Sequence, residues 1–345
     1  VNHDSTRAVS TGDIARLVHG TLHGSGDVVI QGIQSVGEAS ATDITLISSA
    51  GYARKWSVST GGAALVSACI PIENVQVDDR PLICVDDAEV ASMTVLEHFH
   101  VEETMPDVGV HPSAYVADDV DLGDQVRIGP FVCIERGAII GDGVVLHRSV
   151  GVGASCVIGA HTVLYPNVTV YDTCRIGRFV RIHAGTVIGA PGFGFRPSPD
   201  GTGLRRLPHV GSVIIEDDVE IGPTSIVARG KFGSTRIGAG SKIDGMVSIA
   251  HNVKLGRNCV IAGMSGVAGS TEVGDGVMIG GHTCVREHLH LGHGARVAGG
   301  SVLMDDLGDG EDAAGAPALT GIQGLRQWSA LRRLPGLIRE MSRRQ

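Results

Sequence analysis

Residues 237–272 read IGAGSK IDGMVS IAHNVK LGRNCV IAGMSG VAGSTE. Each block of six opens on Ile, Leu or Val, and its fifth place holds a small or β-branched residue. Working outward, the same step holds from Val110 to Ile188, where every opening residue is Val, Leu or Ile. It breaks over 190–212, a stretch holding Pro191, Pro197, Pro199 and Pro208. It resumes at Ile215, slips over 231–234, and then runs without interruption from Ile237 to Leu303. A fixed period of this kind means a solenoid, and a hexapeptide period means a parallel β-helix. Three hexapeptides close a triangular coil of about 18 residues, and successive coils stack at the sheet spacing of about 4.8 Å. Glycine often follows the aliphatic residue, which reads as corners needing unusual φ.

Composition agrees with a core of stacked small aliphatics. Among 345 residues 43% are hydrophobic but only 3% aromatic, and 50 are glycine. The net charge of −9 argues against a general nucleic-acid binder and against a polybasic membrane anchor. The seven cysteines form no CxxC pair, and several fall in inward slots, so they read as reduced, buried thiols. No apolar run approaches the ~18 residues of a membrane span, and Val1-Asn-His-Asp is no signal peptide. On these features we expect a cytoplasmic chain without stable membrane insertion.

We divide the chain into 1–107, a small α/β domain; 108–308, the β-helix; and 309–345, a helical segment. The first part carries a helix-like stretch over 13–18, with Thr11 as N-cap, and short β-like runs such as 63–66. The last shows apolar residues at helical spacing (Leu325, Trp328, Leu331, Leu334), broken or kinked at Pro335. It also holds Arg326, Arg332, Arg333, Arg339, Arg343 and Arg344 against the single acid Glu340. Such a run is either a solvated face or a docking surface for an acidic partner.

The coil arithmetic also locates candidate chemistry. His251 is third in its hexapeptide and should point outward; eighteen residues on is Gly269. A histidine beside a backbone N–H that no side chain obstructs is what acyl transfer requires: a general base next to an oxyanion donor. His288 falls on nearly the same face two coils away, at roughly 10 Å. The plainer alternative is that His251 is one surface histidine among 15. An interfacial metal would need His288 and His293 with His251 from a neighbouring subunit. No GxSxG, P-loop or HExxH is present.

At these residues the chain resembles the UDP-3-O-(3-hydroxyacyl)glucosamine N-acyltransferases of lipid A synthesis. The segment 242–256 (KIDGMVSIAHNVKLG) is similar to that family's active-site stretch, 189–195 (GAPGFGF) to its helix-interrupting loop, and 43–52 (DITLISSAGY) to its uridine pocket. The resemblance implies a left-handed β-helix and a homotrimer. It makes His251 the general base, Gly269 N–H the oxyanion donor, and His288 and Asp244 contacts of the acceptor. Tyr52, Leu46 and Ser49 would hold uridine. The donor would be an acyl carrier protein, with no cofactor beyond the carrier's phosphopantetheine and no resident metal; such carriers are acidic, so the basic run, at Arg326, Arg332 and Arg333, is where we expect one to dock. The chain departs from the family pattern at Leu46 (usually Phe), Pro191 (usually acidic), Ala228 (usually Asp) and Gly245 (usually Asn). Acylation of a different nucleotide sugar is the main enzymatic alternative, and a non-enzymatic solenoid is the alternative of another class. Small residues over 298–301, Ala298 to Ser301, read as a groove for the acyl chain.

Overall fold

A six-residue step yields a solenoid only if each opening aliphatic residue turns inward and each coil bonds the next. Both conditions hold. The computed structural model describes residues 7–75, 78–101 and 103–342; the first residues of the chain, and Arg343 and Arg344 of the basic run, lie outside them. Strands mostly of two residues pair in parallel at 18-residue offsets, as Cys133–Ile134 does with Gly151–Val152. They build faces of nine, ten and twelve strands. The opening residues, such as Ile134, Leu146, Ile249 and Leu291, form one continuous core. Fifth-place residues are buried as well, and their hydroxyls are internally satisfied. Ser241 Oγ donates to Gly256 O at 3.0 Å and accepts from Cys259 N at 3.1 Å, and Ser265 does the same with Gly280 O and Thr283 N. Polar atoms can therefore enter the core without loss. Cys156, Cys174 and Cys259 are buried here, and desolvation pushes the Cys156 thiol up to about 12.

The corners correct one expectation. The residues with left-handed backbone are mostly not glycine: fourth-place residues including Phe131, Asn167, Met246, Asn252 and His288 hold φ between +53° and +63°. That conformation costs roughly 1–2 kcal/mol for an L-residue, which the surrounding ladder of hydrogen bonds offsets. The second-place glycines answer a different need, the close approach of the next coil. A Cβ on Gly141 would lie 2.7 Å from the backbone nitrogen of Ala160.

Two insertions interrupt the winding. Strands flanking 190–211 pair at an offset of 39 residues, and the next coil pairs at 22. The first insertion carries a hairpin, Phe195–Pro197 with Leu204–Arg206. Both leave the prism at the edge between the ten-stranded and nine-stranded faces, and His251 lies next along that edge.

The chain divides into two compact units, Val1–Thr104 and Met105–Gln345. In the first, a five-stranded sheet, mostly parallel, has the order Thr21–His23, Leu82–Val85, Ala63–Ser67, Asp43–Ile47 and Gly32–Ile33. Helix α1 spans Thr11–Leu17, and its N-cap is Ser10 rather than Thr11: Ser10 Oγ accepts from Asp13 N at 3.1 Å. Thr11 is spent elsewhere, donating to Ser25 O. Two helices escaped the sequence reading, α2 (Ala50–Trp56) and α3 (Ala88–Phe99). The Asp87 carboxylate, accepting from Glu89 N and Val90 N, was the available signal for α3.

Helix α4, Gly321–Ser342, continues through Pro335, so of the expected break or kink there it shows no break. It rests on the end of the solenoid through Gly324, where a Cβ would be 3.0 Å from Leu319 O. The apolar residues Leu325, Trp328, Leu331 and Leu334 are exposed. Among the described residues no helix is long and apolar enough to cross a membrane.

The crowding at second-place glycines can be read by mutation. Gly141→Ala should cost about 1–3 kcal/mol, as backbone overpacking does. Gly151→Ala, where a Cβ meets nothing within 4 Å, should be neutral or stabilising by about 0.5–1 kcal/mol. Denaturant unfolding of the two variants measures the difference.

Candidate active site

At several corners the third-place N–H is taken by a carboxylate from the adjacent coil. Asp142, Asp172 and Asp275 accept from Asp124, Ala154 and Arg257 in this way, at 2.8–3.0 Å. At Gly269 no carboxylate does so, and among the described residues its N–H meets no acceptor. The His251 imidazole lies over it instead. A Cβ on Gly269 would be 2.6 Å from His251 Cε1 and 2.9 Å from Nε2, so only glycine admits the ring. Spacing alone had placed this pair together, and the structure does so.

The ring is oriented by its neighbour. His251 Nδ1 faces Asn252 Oδ1 at 3.4 Å. The Asn252 carboxamide is fixed because Lys231 N donates to Oδ1 at 2.9 Å, while Nδ2 donates to Phe232 O at 2.7 Å. An acceptor opposite Nδ1 assigns the proton to Nδ1 and leaves the Nε2 lone pair free. This is the tautomer a general base at Nε2 requires.

His251 and His288 share one cleft of about 680 Å³ with His209, Phe193, Lys231 and Glu287. His288 N donates to Gly269 O at 3.1 Å, which ties its coil to the same corner. His209 was missed from sequence because it lies in the interruption, where the repeat count is silent. Its ring meets His251 edge to face at 5.2 Å. Burial holds its imidazole below the ordinary value of about 6.5.

Other candidates stand elsewhere. Asp244 belongs to the edge between the twelve-stranded and ten-stranded faces; its carboxylate accepts from Gly245 N at 2.7 Å and Gly263 N at 3.0 Å. Ala298 and Gly299 line an apolar groove of about 640 Å³ with Ala262, Gly280 and Leu325. Ser301 does not: it is buried, and its hydroxyl accepts from Gly315 N. His293 is on the third edge, accepting from Asp275 N at 3.0 Å, away from His251 and His288. In the first unit, Leu46 packs on the core around Ile14 and Ile44. Ser49 lines a cleft of about 510 Å³ with Ala53, Arg54 and Pro71. Tyr52 is 42% exposed, with the Lys55 ammonium 5.5 Å from its ring centroid. Arg326, Arg332 and Arg333 are exposed on α4.

The His209 shift has a definite sign. A folded-state value below the unfolded one means the unfolded chain binds more protons, so this contribution to stability is complete above about pH 6.5. It is lost as pH falls from there toward the folded-state value. Thermal melts of wild type and His209→Gln should converge on acidification, and NMR should show the His209 Cε1 proton titrating late.

Comparisons with known proteins agree with the geometry. The bacterial transferase hexapeptide (six repeats) model matches residues 155–190 and 234–269. UDP-3-O-acylglucosamine N-acyltransferase 1 of Francisella tularensis subsp. holarctica (strain OSU18) is 38% identical over 335 residues, covering 92% of this chain and 91% of that one. UDP-3-O-acylglucosamine N-acyltransferase of Desulfotalea psychrophila is 42% identical over 248 residues, 72% of this chain and 70% of that one. Among solved structures, an Arabidopsis UDP-N-acetylglucosamine acyltransferase is 25% identical, with a TM-score of 0.51 over 63% of this chain and 76% of its own. Repeat, corner geometry and similarity along nearly the whole length converge, and the chain belongs to the family of UDP-3-O-acylglucosamine N-acyltransferases.

Proposed function

We propose that the protein transfers an acyl chain from an acyl carrier protein to the C2 amine of a UDP-3-O-acylglucosamine, in the cytoplasm and as a homotrimer. The observation that carries this reading is His251 lying over the unclaimed N–H of Gly269. His251 Nε2 takes a proton from the amine as nitrogen attacks the thioester carbonyl. The new C–N bond leaves a tetrahedral oxyanion, which the Gly269 N–H stabilises. The C–S bond then breaks, and the thiolate leaves with the proton that His251 held. His288, exposed on the same cleft, holds the acceptor. Transfer is direct, without an acyl-enzyme and without a metal or organic cofactor other than the carrier's own phosphopantetheine.

The trimer joins what one subunit keeps apart. Asp244 and the apolar groove of Ala262, Gly280 and Ala298 run along a different edge from His251. A neighbouring prism set against the His251 edge would bring such a groove to the acyl chain and Asp244 to the sugar. Tyr52 would stack on the uracil, with Ser49 and Leu46 nearby. The N-acyltransferase reading is favoured over O-acylation by the 38–42% identity to enzymes of that name, against 25% for the UDP-N-acetylglucosamine acyltransferase.

Three measurements test this. His251→Ala should lower turnover of UDP-3-O-acylglucosamine by about 10²–10⁴-fold with an unchanged melting temperature, and near-normal turnover would remove the mechanism. Gly269→Ala, which displaces the imidazole from the N–H, should also abolish most activity while the protein stays folded. For the carrier, charge reversal at Arg332 and Arg333 should raise its KM and flatten the salt dependence, leaving nucleotide-sugar binding unaltered. A wild-type KM at low salt would reduce α4 to an assembly element.

A further inference from the structure

His209 has a nitrogen without a partner. Its side chain is 9% exposed, and Nδ1 lies 3.1 Å from Leu207 O. A carbonyl can only accept, so Nδ1 carries the proton and Nε2 presents a bare lone pair. Nε2 is buried and meets no hydrogen-bond donor. Leaving such an acceptor unpaired is costly, which is why native structures seldom do so without a use for it. Lys231 is close enough to influence the ring electrostatically, yet its ammonium faces Phe232, 5.8 Å from that ring's centroid. What covers Nε2 is an arch of glycine-rich backbone. A Cβ on Gly192 would lie 2.9 Å from both His209 Nε2 and His251 Cδ2, and one on Gly194 would lie 2.9 Å from His209 Cε1. Over 192–194, the one backbone hydrogen bond among the described residues is from Leu207 N to Gly194 O. Phe193 at the crown is exposed. The cover is therefore held by little.

We propose that His209 Nε2 is the acceptor for a hydroxyl group of the substrate, reached when the arch over 192–194 lifts, and that it makes His209 a specificity-determining residue of the cleft. The inference rests on the acyltransferase reading and extends it. The ring stands 5.2 Å from that of His251, so a hydroxyl a few bonds from the reacting centre comes within reach. Two substrates can supply it: the acyl chain, if hydroxylated near its carbonyl, or the sugar. Sites built to bond a hydroxyl reject the analogue lacking it, because their own buried group is then left unpaired. With its proton held by a main-chain carbonyl, the ring acts as an acceptor and not as a second base.

The test is a protein–substrate double-mutant cycle on the full-length enzyme. One arm compares acyl carrier protein loaded with hydroxylated and unsubstituted chains of equal length. The other compares the UDP-sugar acceptor with its 4-deoxy and 6-deoxy analogues. Wild type should prefer the hydroxyl-bearing member of one pair by tenfold or more in kcat/KM, which names the source. His209→Leu should erase that preference, and His209→Gln, whose amide oxygen also accepts, should keep part of it. If the Leu variant does not fold, His209→Phe, which retains a ring without the lone pair, makes the same comparison. No preference in wild type, or a preference that survives in the Leu or Phe variant, overturns the proposal. A wild type inactive on every pair would instead sink the acyltransferase reading.

Discussion

The stacking of one coil on the next, at an 18-residue offset, is the constraint on which everything else depends. Because each coil hydrogen-bonds the next at the sheet spacing of about 4.8 Å, a residue's neighbours are set by arithmetic. Inward places become a continuous aliphatic column from Ile128 to Leu303, and outward places become vertical rows along three edges. The same closeness leaves second-place residues such as Gly141 no room for a side chain. It also requires the buried hydroxyls of Ser241 and Ser265 to bond the backbone of the coils beside them.

Chemistry enters where an outward N–H and a base meet. Carboxylates such as Asp142 and Asp172 occupy some of the outward N–H groups. At Gly269 none does, and a histidine from the preceding coil lies over the glycine. A donor left open beside a histidine is what an acyl-transfer site uses. The insertions leave the prism at this same edge, because a corner can be lengthened without disturbing the registers on either side. They wall the cleft with His209, Phe193 and Lys231 and fix Asn252, which orients His251. The interruptions of the repeat thus belong to the site.

The basic helix follows a similar logic of separation. The chain as a whole carries a charge of −9, while α4 concentrates Arg326, Arg332, Arg333 and Arg339 beside exposed Leu325, Trp328 and Leu331. A local positive surface on an acidic protein captures an acidic partner that the net charge would repel. Placing the arginines and the apolar residues at the end of the solenoid keeps both away from the coils that must stack.

The solenoid, its period, the two interruptions and the pairing of His251 with Gly269 were legible along the chain, because a strict six-residue repeat converts linear spacing into spatial adjacency. Where the repeat is absent, that conversion fails. Helices α2 and α3 were not legible, and the N-cap moved from Thr11 to Ser10. Pro335 did not end α4. Only the tertiary structure decided that second-place glycines serve close approach instead of φ, since crowding between coils is invisible along one coil. Only it assigned Asp244 and Ser301 to places away from the His251 cleft, and only it folded the arch over His209, because a loop without period has its position set by what it packs against.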